Sequence, residues 1–324
     1  MENEECPRDP NSLITKLLNQ YSEGASSGLV QDETNSNIYY YKGNNDEVAN
    51  NYLWYGGHHW RVIEIDTDAN TLLLISQQPL TAISPASEVW DTEEAYKRSY
   101  INTWLNGYFY NSLDSDIQNN ILDNTFNIGE RTAVDEITIA QKVGLLDDNQ
   151  YKRAGGRNSY LHIQDNYWLG GPFDVVYNDD SVILYDPQGV RPVIKISDIT
   201  ITEGDGTLTS NYKTADKSTD TNEVQVGEYI NVPYSGSDKA CGDDNKCTFR
   251  VVSKDNDSIK VVLNGLLPSE SEYGSSTTIT TKHTIYTPLN AFVEGISDTY
   301  RYTGNKTFYI GNYSGAANYA DVQD

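Results

Sequence analysis

The chain has 324 residues, which is long enough for two domains that each bury a core of their own. Its 47 acidic and 23 basic residues give a formal net charge of −24, which would repel nucleic-acid phosphates and anionic lipid surfaces, so we expect neither as a partner. Two explanations remain for the acidic residues: solubility of a secreted or surface protein, which we favour, and oxygen ligands for calcium.

A short amphipathic helix is predicted near the N-terminus. In NSLITKLLNQY, residues 11–21, leucines recur at helical intervals after Asn11 or Ser12, either of which suits an N-cap. The next stretch, residues 22–37, is rich in Gly, Ser and acidic residues and is typical of a linker. We therefore predict that residues 1–37 are an N-terminal helix and linker.

Residues 52–76, YLWYGGHHWRVIEIDTDANTLLLIS, are predicted to form strands around a hairpin turn at DTDAN. The spacing of Asp66, Asp68 and Asn70 imitates the start of an EF-hand calcium loop. Because the glycine and the distal glutamate of that loop are missing, a turn is favoured. His58 and His59 are neighbours on a strand and point to opposite faces, so we predict one exposed and one packed histidine.

Two helices are predicted next. The first, SYINTWLNGYFYNSL at residues 99–113, begins with Ser99 as a cap. The second, DSDIQNNIL at residues 114–122, is capped by Asp114 or Ser115. The predicted apolar face of the first helix consists of Ile101, Trp104, Leu105, Tyr108 and Phe109.

Loops and strand-like segments follow residue 130 and lead to a polar stretch. Residues 201–226 are poor in apolar residues and rich in Thr, Asp and Gly, which predicts an interdomain linker. We therefore assign residues 38–200 to a first domain and residues 227–324 to a second, β-rich one.

Two cysteines bracket a turn-prone loop. Cys241 and Cys247 enclose GDDNK, and a disulfide between them would stabilise the fold by roughly 2 kcal/mol on the loop-entropy model. Free thiols or metal ligands are the alternatives, although zinc would need two more Cys or His residues nearby. The disulfide favours an oxidising compartment, while Cys6 has no evident partner. No stretch is long enough to span a membrane, and residues 1–20 do not resemble a signal peptide, so either the chain is cytosolic or its leader lies outside it.

Three features of the first domain return in order in the second. FRVVSKDNDSIKVVLNG begins 189 positions after WRVIEIDTDANTLLLIS, the Leu-Asn pair at 105 returns at 289, and TFNIG at 125 returns as TFYIG at 307. Three collinear matches predict an internal repeat. The second copy stops at the equivalent of about residue 142, so we expect a different closure, a strand from another chain, or an excised fragment.

Several motifs, taken together, resemble a largely uncharacterised domain of surface and pilin-like proteins from gut Gram-positive bacteria. The resemblance covers roughly residues 38–210 and, more thinly, 227–324. Its motifs are NNYLWYGGHHWRVIEI, INTWLNGYFYNSLDSDIQNNI, VGLL, AGGRNSYLHIQDNYWLGGP, VYNDDSVILYD and GVRPVIKISDITITEGDGT. That domain belongs to the C-type-lectin-like fold and is distantly similar to formylglycine-generating enzymes.

The resemblance implies an α+β fold: a C-type-lectin-like domain with two helices on twisted antiparallel sheets, followed by a partial, β-rich second copy. It also implies export, extracellularly or to the cell surface. The oxidase relatives need a reactive cysteine pair, and this domain has no cysteine after Cys6. Calcium-binding lectins use two polar triplets, of which only Tyr177, Asn178 and Asp179 resemble one, and a turn explains these residues better than a calcium site does.

A binding surface is predicted in the loop region 147–188, where aromatic planes lie beside polar groups. The alternative is that Trp168 and Tyr185 fill the core and that the acids solvate the loop. Arg191 of GVRP is predicted to be a structural arginine under the sheet. The candidate ligand-binding residues are Tyr167, Trp168, Tyr177, Asn178, Asp179, Asp180 and Tyr185.

The sequence contains no evident arrangement of nucleophile, base and orienting residue, so we predict no enzymatic activity and no cofactor, with calcium as a minor alternative. The leading hypothesis is a non-enzymatic bacterial surface protein that acts in adhesion or recognises a glycan or protein ligand. The alternative is a structural subunit of a pilus or surface fibre that self-associates, its second copy completed by a neighbouring chain.

Overall fold

The molecule divides into two units, Met1–Val224 and Gln225–Asp324, which are described separately. The structure is a computed structural model. It describes residues 8–22, 28–84, 92–129, 137–171, 175–177, 187–214, 224–235, 246–254, 259–264, 292, 295–296, 307–313 and 317–323. None of the helices in these ranges is both long and apolar enough to cross a membrane.

Unit 1 is a mixed α+β structure in which strands predominate, as the sequence predicts at this level of detail. Its strands are β1 Leu29–Gln31, β2 Ile38–Tyr41, β3 Tyr52–Tyr55, β4 His58–Asp66, β5 Thr71–Ser76, β6 Thr81–Ile83, β7 Ile121–Leu122, β8 Asn124–Asn127, β9 Thr138–Gln141, β10 Val143–Gly144, β11 Tyr167–Trp168, β12 Val175–Val176, β13 Gln188–Val190, β14 Val193–Ser197 and β15 Tyr212–Lys213. Its α-helices are α1 Leu13–Ser22, α2 Glu93–Lys97, α3 Tyr100–Thr103, α4 Tyr110–Ser112, α5 Ser115–Asn120 and α6 Asp148–Arg153.

The main sheet of unit 1 has nine strands. Its path runs β1-β2-β4-β5-β14-β10, with β3 added beside β4, β15 beside β3 and β7 beside β14. β3 and β5 are buried along their whole length, because apolar side chains are covered on both faces of the sheet. A second sheet has the order β12-β11-β13-β6, and β8 and β9 form a separate hairpin.

The predicted hairpin between β4 and β5 is confirmed, with Asp66 paired to Thr71. The Asp66 carboxylate accepts hydrogen bonds from the backbone amides of Asp68 and Ala69 at 3.0 and 2.9 Å, which is how an aspartate closes a turn. Asn70 has the left-handed backbone conformation that such a turn requires, with φ of 56°. β4 carries a bulge between Val62 and Glu64.

The predicted helix at residues 99–113 is confirmed, but its centre is a π-helix, Trp104–Phe109, between α3 and α4. The Ser99 hydroxyl caps it by accepting a hydrogen bond from the Asn102 amide at 3.1 Å. Ile101, Leu105 and Phe109 are buried, as predicted. Tyr108 is instead 72% exposed, because the wider π turn rotates it away from the position that an α-helix would give it. The second helix is α5, preceded by Asp114 as its N-cap.

The N-terminal helix and the predicted second linker both belong to unit 1. Leu13, Ile14 and Leu17 of α1 are fully buried in its core, and β1 lies in its main sheet. Residues 201–214 do not form a free linker, because β15 pairs in parallel with β3. In addition, the Ile201 amide donates to the Asn11 carbonyl at 2.8 Å. Polar composition therefore misled the assignment: a few apolar residues and backbone hydrogen bonds suffice to fix these segments.

Unit 2 is β-rich in the residues described. Its strands are β16 Tyr229–Pro233, β17 Lys246–Lys254, β18 Ile259–Leu263, β19 Thr307–Tyr313 and β20 Ala317–Gln323. β16, β17 and β18 form an antiparallel sheet in that order, while β19 and β20 form a hairpin. A small core contains Val232, Tyr234, Cys247 and Phe249.

Candidate functional site

A polar cleft lies on one face of the main sheet of unit 1. Glu64 of β4, Leu73 of β5 and Lys195 of β14 are direct cross-strand neighbours, so their side chains project from the same face. Asp66 and Thr71 form the next pair on this face, two positions along each strand. Three adjacent strands thus form the base of the cleft.

Two other elements form its walls. The hairpin strand β8 contributes Asn124 and Thr125, and α6 contributes Gln150. The cleft encloses about 220 Å³. Eight residues line the cleft: Glu64, Asp66, Thr71, Leu73, Asn124, Thr125, Gln150 and Lys195. Only Leu73 among them is apolar.

Glu64 and Gln150 are held in place by neighbouring groups. The guanidinium of Arg153 forms an ion pair with the Glu64 carboxylate and stacks over the ring of Tyr40, 4.4 Å from its centroid. Gln150 completes a capping box with Asp147: its side-chain oxygen accepts from the Asp147 amide at 3.1 Å, and the Asp147 carboxylate accepts from the Gln150 amide at 2.7 Å. Burial raises the pKa of the Asp147 carboxyl, which hydrogen bonds to the α6 amides oppose. These contacts fix part of the base and one wall of the cleft before any ligand binds.

Two polar groups in the cleft have no described partner. The Thr71 hydroxyl is buried and makes no hydrogen bond, which is costly unless a ligand or water supplies one. Within the described ranges, the Lys195 ammonium has no hydrogen-bond acceptor or ion-pair partner. The cleft therefore offers a free cation beside a fixed carboxylate and carboxamides, a set that both donates and accepts hydrogen bonds.

Comparison with known families gives one match. A family described as Domain of unknown function (DUF6273) matches residues 69–198 of this chain. Comparisons with curated proteins and with solved structures give no match. The matched range contains six of the eight cleft residues, since only Glu64 and Asp66 precede it. The cleft is therefore built largely from the DUF6273-like region.

The structure places Tyr167 and Trp168 in the core of unit 1 and away from the lining of the cleft, so neither ring is exposed for the ligand contact that the sequence predicts. Both side chains are completely buried. β11, which carries them, lies between β12 and β13 in the second sheet, and both rings belong to the hydrophobic core of unit 1. The Trp168 indole N–H donates to the Ile83 carbonyl at 2.8 Å, and the Tyr167 hydroxyl donates to the Leu161 carbonyl at 2.9 Å. The alternative, that these aromatics fill the core, is correct for Trp168.

The other predicted site residues lie at or beyond the edge of the described structure. Tyr177 is partly buried against the core of unit 1. Cys247 is buried and disulfide-bonded, while its predicted partner, Cys241, lies outside the described residues. Also outside the described residues are Asn178, Asp179, Asp180 and Tyr185. Among the residues that are described, no group of three or more His, Cys, Asp or Glu side chains converges to hold a metal ion.

Arg191 is a buried structural residue, as predicted. Its guanidinium donates to the carbonyls of Ser76 and Leu161 at 2.9 and 3.0 Å and lies 4.7 Å from the centroid of the Tyr167 ring. Burial lowers the pKa of Arg191, which the nearby tyrosines oppose. Arg191 thus joins β13, β5 and the loop before β11, and it lies outside the lining of the cleft.

The histidine pair behaves largely as predicted. His59 is buried and stacks on Tyr52 with the ring centroids 5.3 Å apart. His58 is half-buried rather than exposed and lies 5.3 Å from the ring centroid of Phe109. Burial lowers the pKa of His58 below its usual 6.5, because the apolar surroundings disfavour the imidazolium.

This shift predicts a pH dependence of stability. The unfolded chain binds a proton at His58 at a higher pH than the folded chain does, so the free energy of unfolding rises with pH in that interval. The stability that neutral His58 contributes is fully present above about pH 6.5 and is lost as the pH falls below that value. We expect the urea midpoint of wild-type protein to fall from pH 7 to pH 5 by more than that of His58→Gln. Equal pH profiles of the two proteins would contradict the prediction.

Sequence reasoning missed the cleft because its residues are far apart in the chain. Glu64 and Lys195 are 131 positions apart and meet only through the order β4-β5-β14. One signal was available: each is a charged residue directly between two isoleucines of a strand, in IEI and IKI respectively. A charge at such a position indicates a polar opening in a sheet face that is otherwise covered.

Proposed function

We propose that this protein is a non-enzymatic recognition protein of a bacterial surface, and that its cleft binds a hydroxyl-rich ligand such as a glycan. The observation that carries the proposal is the polar lining of the cleft. We further propose that unit 1 has a C-type-lectin-like fold and that the chain works outside the cytoplasm, as its sequence resemblance implies. The disulfide at Cys247 supports an oxidising compartment.

The chemistry of the cleft suits sugar hydroxyls better than an apolar ligand. Each hydroxyl donates one hydrogen bond and accepts others, so it needs acceptors and donors side by side. Glu64 supplies acceptor oxygens, Lys195 supplies donors, and Asn124 supplies both in one planar group. The single apolar side chain, Leu73, lies at the base between the two charges.

A glycan array probed with the full chain, followed by titration calorimetry on the strongest glycan, tests the proposal. We expect Lys195→Gln and Asn124→Ala each to weaken binding about tenfold or more, because each removes a hydrogen bond to the ligand. The matched control is Lys97→Gln, which changes an exposed lysine of α2 that pairs with Glu93. Undiminished binding by both cleft variants would exclude the cleft, and an array without any bound glycan would contradict the ligand class.

A structural subunit of a pilus or surface fibre is the second candidate function. The observation that favours it is that β18 in unit 2 pairs with β17 alone among the described residues, because an unpaired sheet edge can accept a strand from a neighbouring chain. The two candidates differ in readout: glycan binding is measured on dilute protein, whereas fibre formation increases the mass in light scattering at high concentration.

A further inference from the structure

The three-stranded sheet of unit 2 has the same construction as the β3-β4-β5 part of unit 1. In each, the strands follow one another in chain order and pair antiparallel. Arg61 of β4 pairs with Tyr52, and Arg250 of β17 pairs with Tyr229.

The bulges also correspond. β4 has its bulge between Val62 and Glu64, and β17 has one between Val251 and Ser253. Each position in β17 lies 189 residues after its counterpart in β4, the same offset that relates the two arginines. A bulge is a specific local feature that related proteins retain, so its recurrence at the equivalent position is strong evidence of common construction.

The two sheets differ in what covers the third strand. In unit 1, β14 pairs with β5 from Thr71 to Ile75 and buries that edge. In unit 2, β18 pairs with β17 alone as far as the described residues show.

Exposure differs in the same way. Ile63 and Ile75 of unit 1 are buried, whereas their counterparts Val252 and Val262 are 47% and 55% exposed. Side chains that are core in unit 1 therefore face solvent in unit 2.

The backbone of β18 is oriented to receive a strand. The Asn264 amide donates towards β17, to the Thr248 carbonyl at 2.9 Å. Because successive amides of a strand point to opposite edges, the amides of Leu263 and Val261 point away from β17. The amides at the equivalent positions of β5 face β14. The Ser76 amide, for example, donates to the Pro192 carbonyl at 3.0 Å.

Charge indicates what kind of strand fits. The strands β16, β17 and β18 carry four basic residues and no acidic one, although the whole chain has a net charge of −24. The four are Lys246, Arg250, Lys254 and Lys260. Lys260 occupies the position of Leu73, whose cross-strand neighbour in β14 is Lys195. Two lysines directly opposite each other repel, whereas an acidic residue opposite Lys260 attracts it, so an acidic residue is favoured there.

We propose that the two sheets are copies of one unit and that β18 accepts an extended strand from another polypeptide, with alternating β-branched residues like β14 and an acidic residue opposite Lys260. The strand runs antiparallel to β18 and bonds the amides of Val261 and Leu263. Such a strand would be the binding partner in the second candidate function, the subunit of a pilus or surface fibre, on which this proposal rests. The cleft of unit 1 is not involved.

Labelled peptides added to the full chain test this inference by fluorescence anisotropy. The probe is a peptide of residues 188–198, QGVRPVIKISD, carrying Lys195→Glu. We expect saturable binding by this peptide and weaker binding by the unchanged peptide, which places lysine opposite Lys260. A third peptide carries both Lys195→Glu and Ile194→Pro. It should bind about tenfold more weakly than the probe, because proline removes a backbone N–H that would donate to the acceptor strand. No saturable binding by the probe would overturn the inference.

Hydrogen exchange shows where the peptide binds. We expect the amides of Val261 and Leu263 to exchange more slowly when the probe is bound, and binding without this protection would place the peptide elsewhere and overturn the inference. Val261→Pro should abolish binding, while the matched Val261→Thr, which keeps the amide, should retain it. Because exchange is measured on wild-type protein, the result does not depend on whether Val261→Pro folds. Peptide binding without fibre formation would support the acceptor edge and contradict the fibre function.

Discussion

Replacing Arg61 by methionine is expected to lower the free energy of unfolding of unit 1 by about 3–5 kcal/mol. The Arg61 side chain is completely buried, and none of the ion pairs among the described residues includes it. Neutral groups hold it instead: it donates to the Asn51 and Asn45 side-chain oxygens at 2.6 and 2.8 Å and to the Val48 carbonyl at 2.5 Å. Methionine fills a similar volume but leaves these acceptors buried without a donor.

Aromatic rings add to the environment of Arg61. The guanidinium lies 4.0 Å from the centroid of Tyr52 and 4.5 Å from that of Tyr160, distances at which a cation is attracted to a ring face. Burial lowers the pKa of Arg61, whereas the two tyrosines oppose this shift. Lysine cannot reproduce the planar fork that reaches three directions at once, so Arg61→Lys should also destabilise unit 1, though by less than Arg61→Met.

Tryptophan fluorescence during urea unfolding measures this effect in unit 1 alone, because all five tryptophans lie between residues 54 and 168. Lys97→Met is the control: its ammonium pairs with Glu93 and Glu94 at the surface, and we expect no measurable change. A urea midpoint for Arg61→Met equal to that of wild type would show that the hydrogen bonds around this arginine contribute nothing net.

The local elements could be predicted from the sequence because their signals are local. Ser99 begins its helix through a bond to an amide three residues away, and the hairpin at Asp66 closes within four residues. The position of Tyr108 could not be predicted, because nothing in the residue pattern marks the change from α to π turns at Trp104.

Assignments that depended on composition failed where tertiary pairing decided the outcome. Residues 201–214 have the composition of a linker, yet β15 takes its place beside β3. Likewise, the cleft depends on the register of Glu64, Leu73 and Lys195 across three strands, and the order of those strands is a property of the whole sheet. A single sequence identifies which segments form strands far better than it identifies which strands lie next to each other in a sheet.

Replacing Trp168 by alanine is expected to lower the free energy of unfolding of unit 1 by about 3–5 kcal/mol, because it opens a cavity in the core. The indole is completely buried, and its N–H donates to the Ile83 carbonyl, which the substitution leaves without this donor. This experiment decides between the two functions that the sequence allows for Trp168: packing of the core and contact with a ligand.

Tyr108→Ala is the matched control for Trp168→Ala. It also removes an aromatic ring, but one that is 72% exposed, so we expect a change within about 0.5 kcal/mol. Both proteins are measured by urea unfolding followed by tryptophan fluorescence, since Trp168→Ala keeps four of the five tryptophans. If Trp168→Ala unfolded at the wild-type midpoint and lost glycan binding, Trp168 would be a ligand contact and not a core residue. Because its ring is completely buried in the core of unit 1, we expect instead that destabilisation dominates and that any loss of binding follows the loss of folded protein.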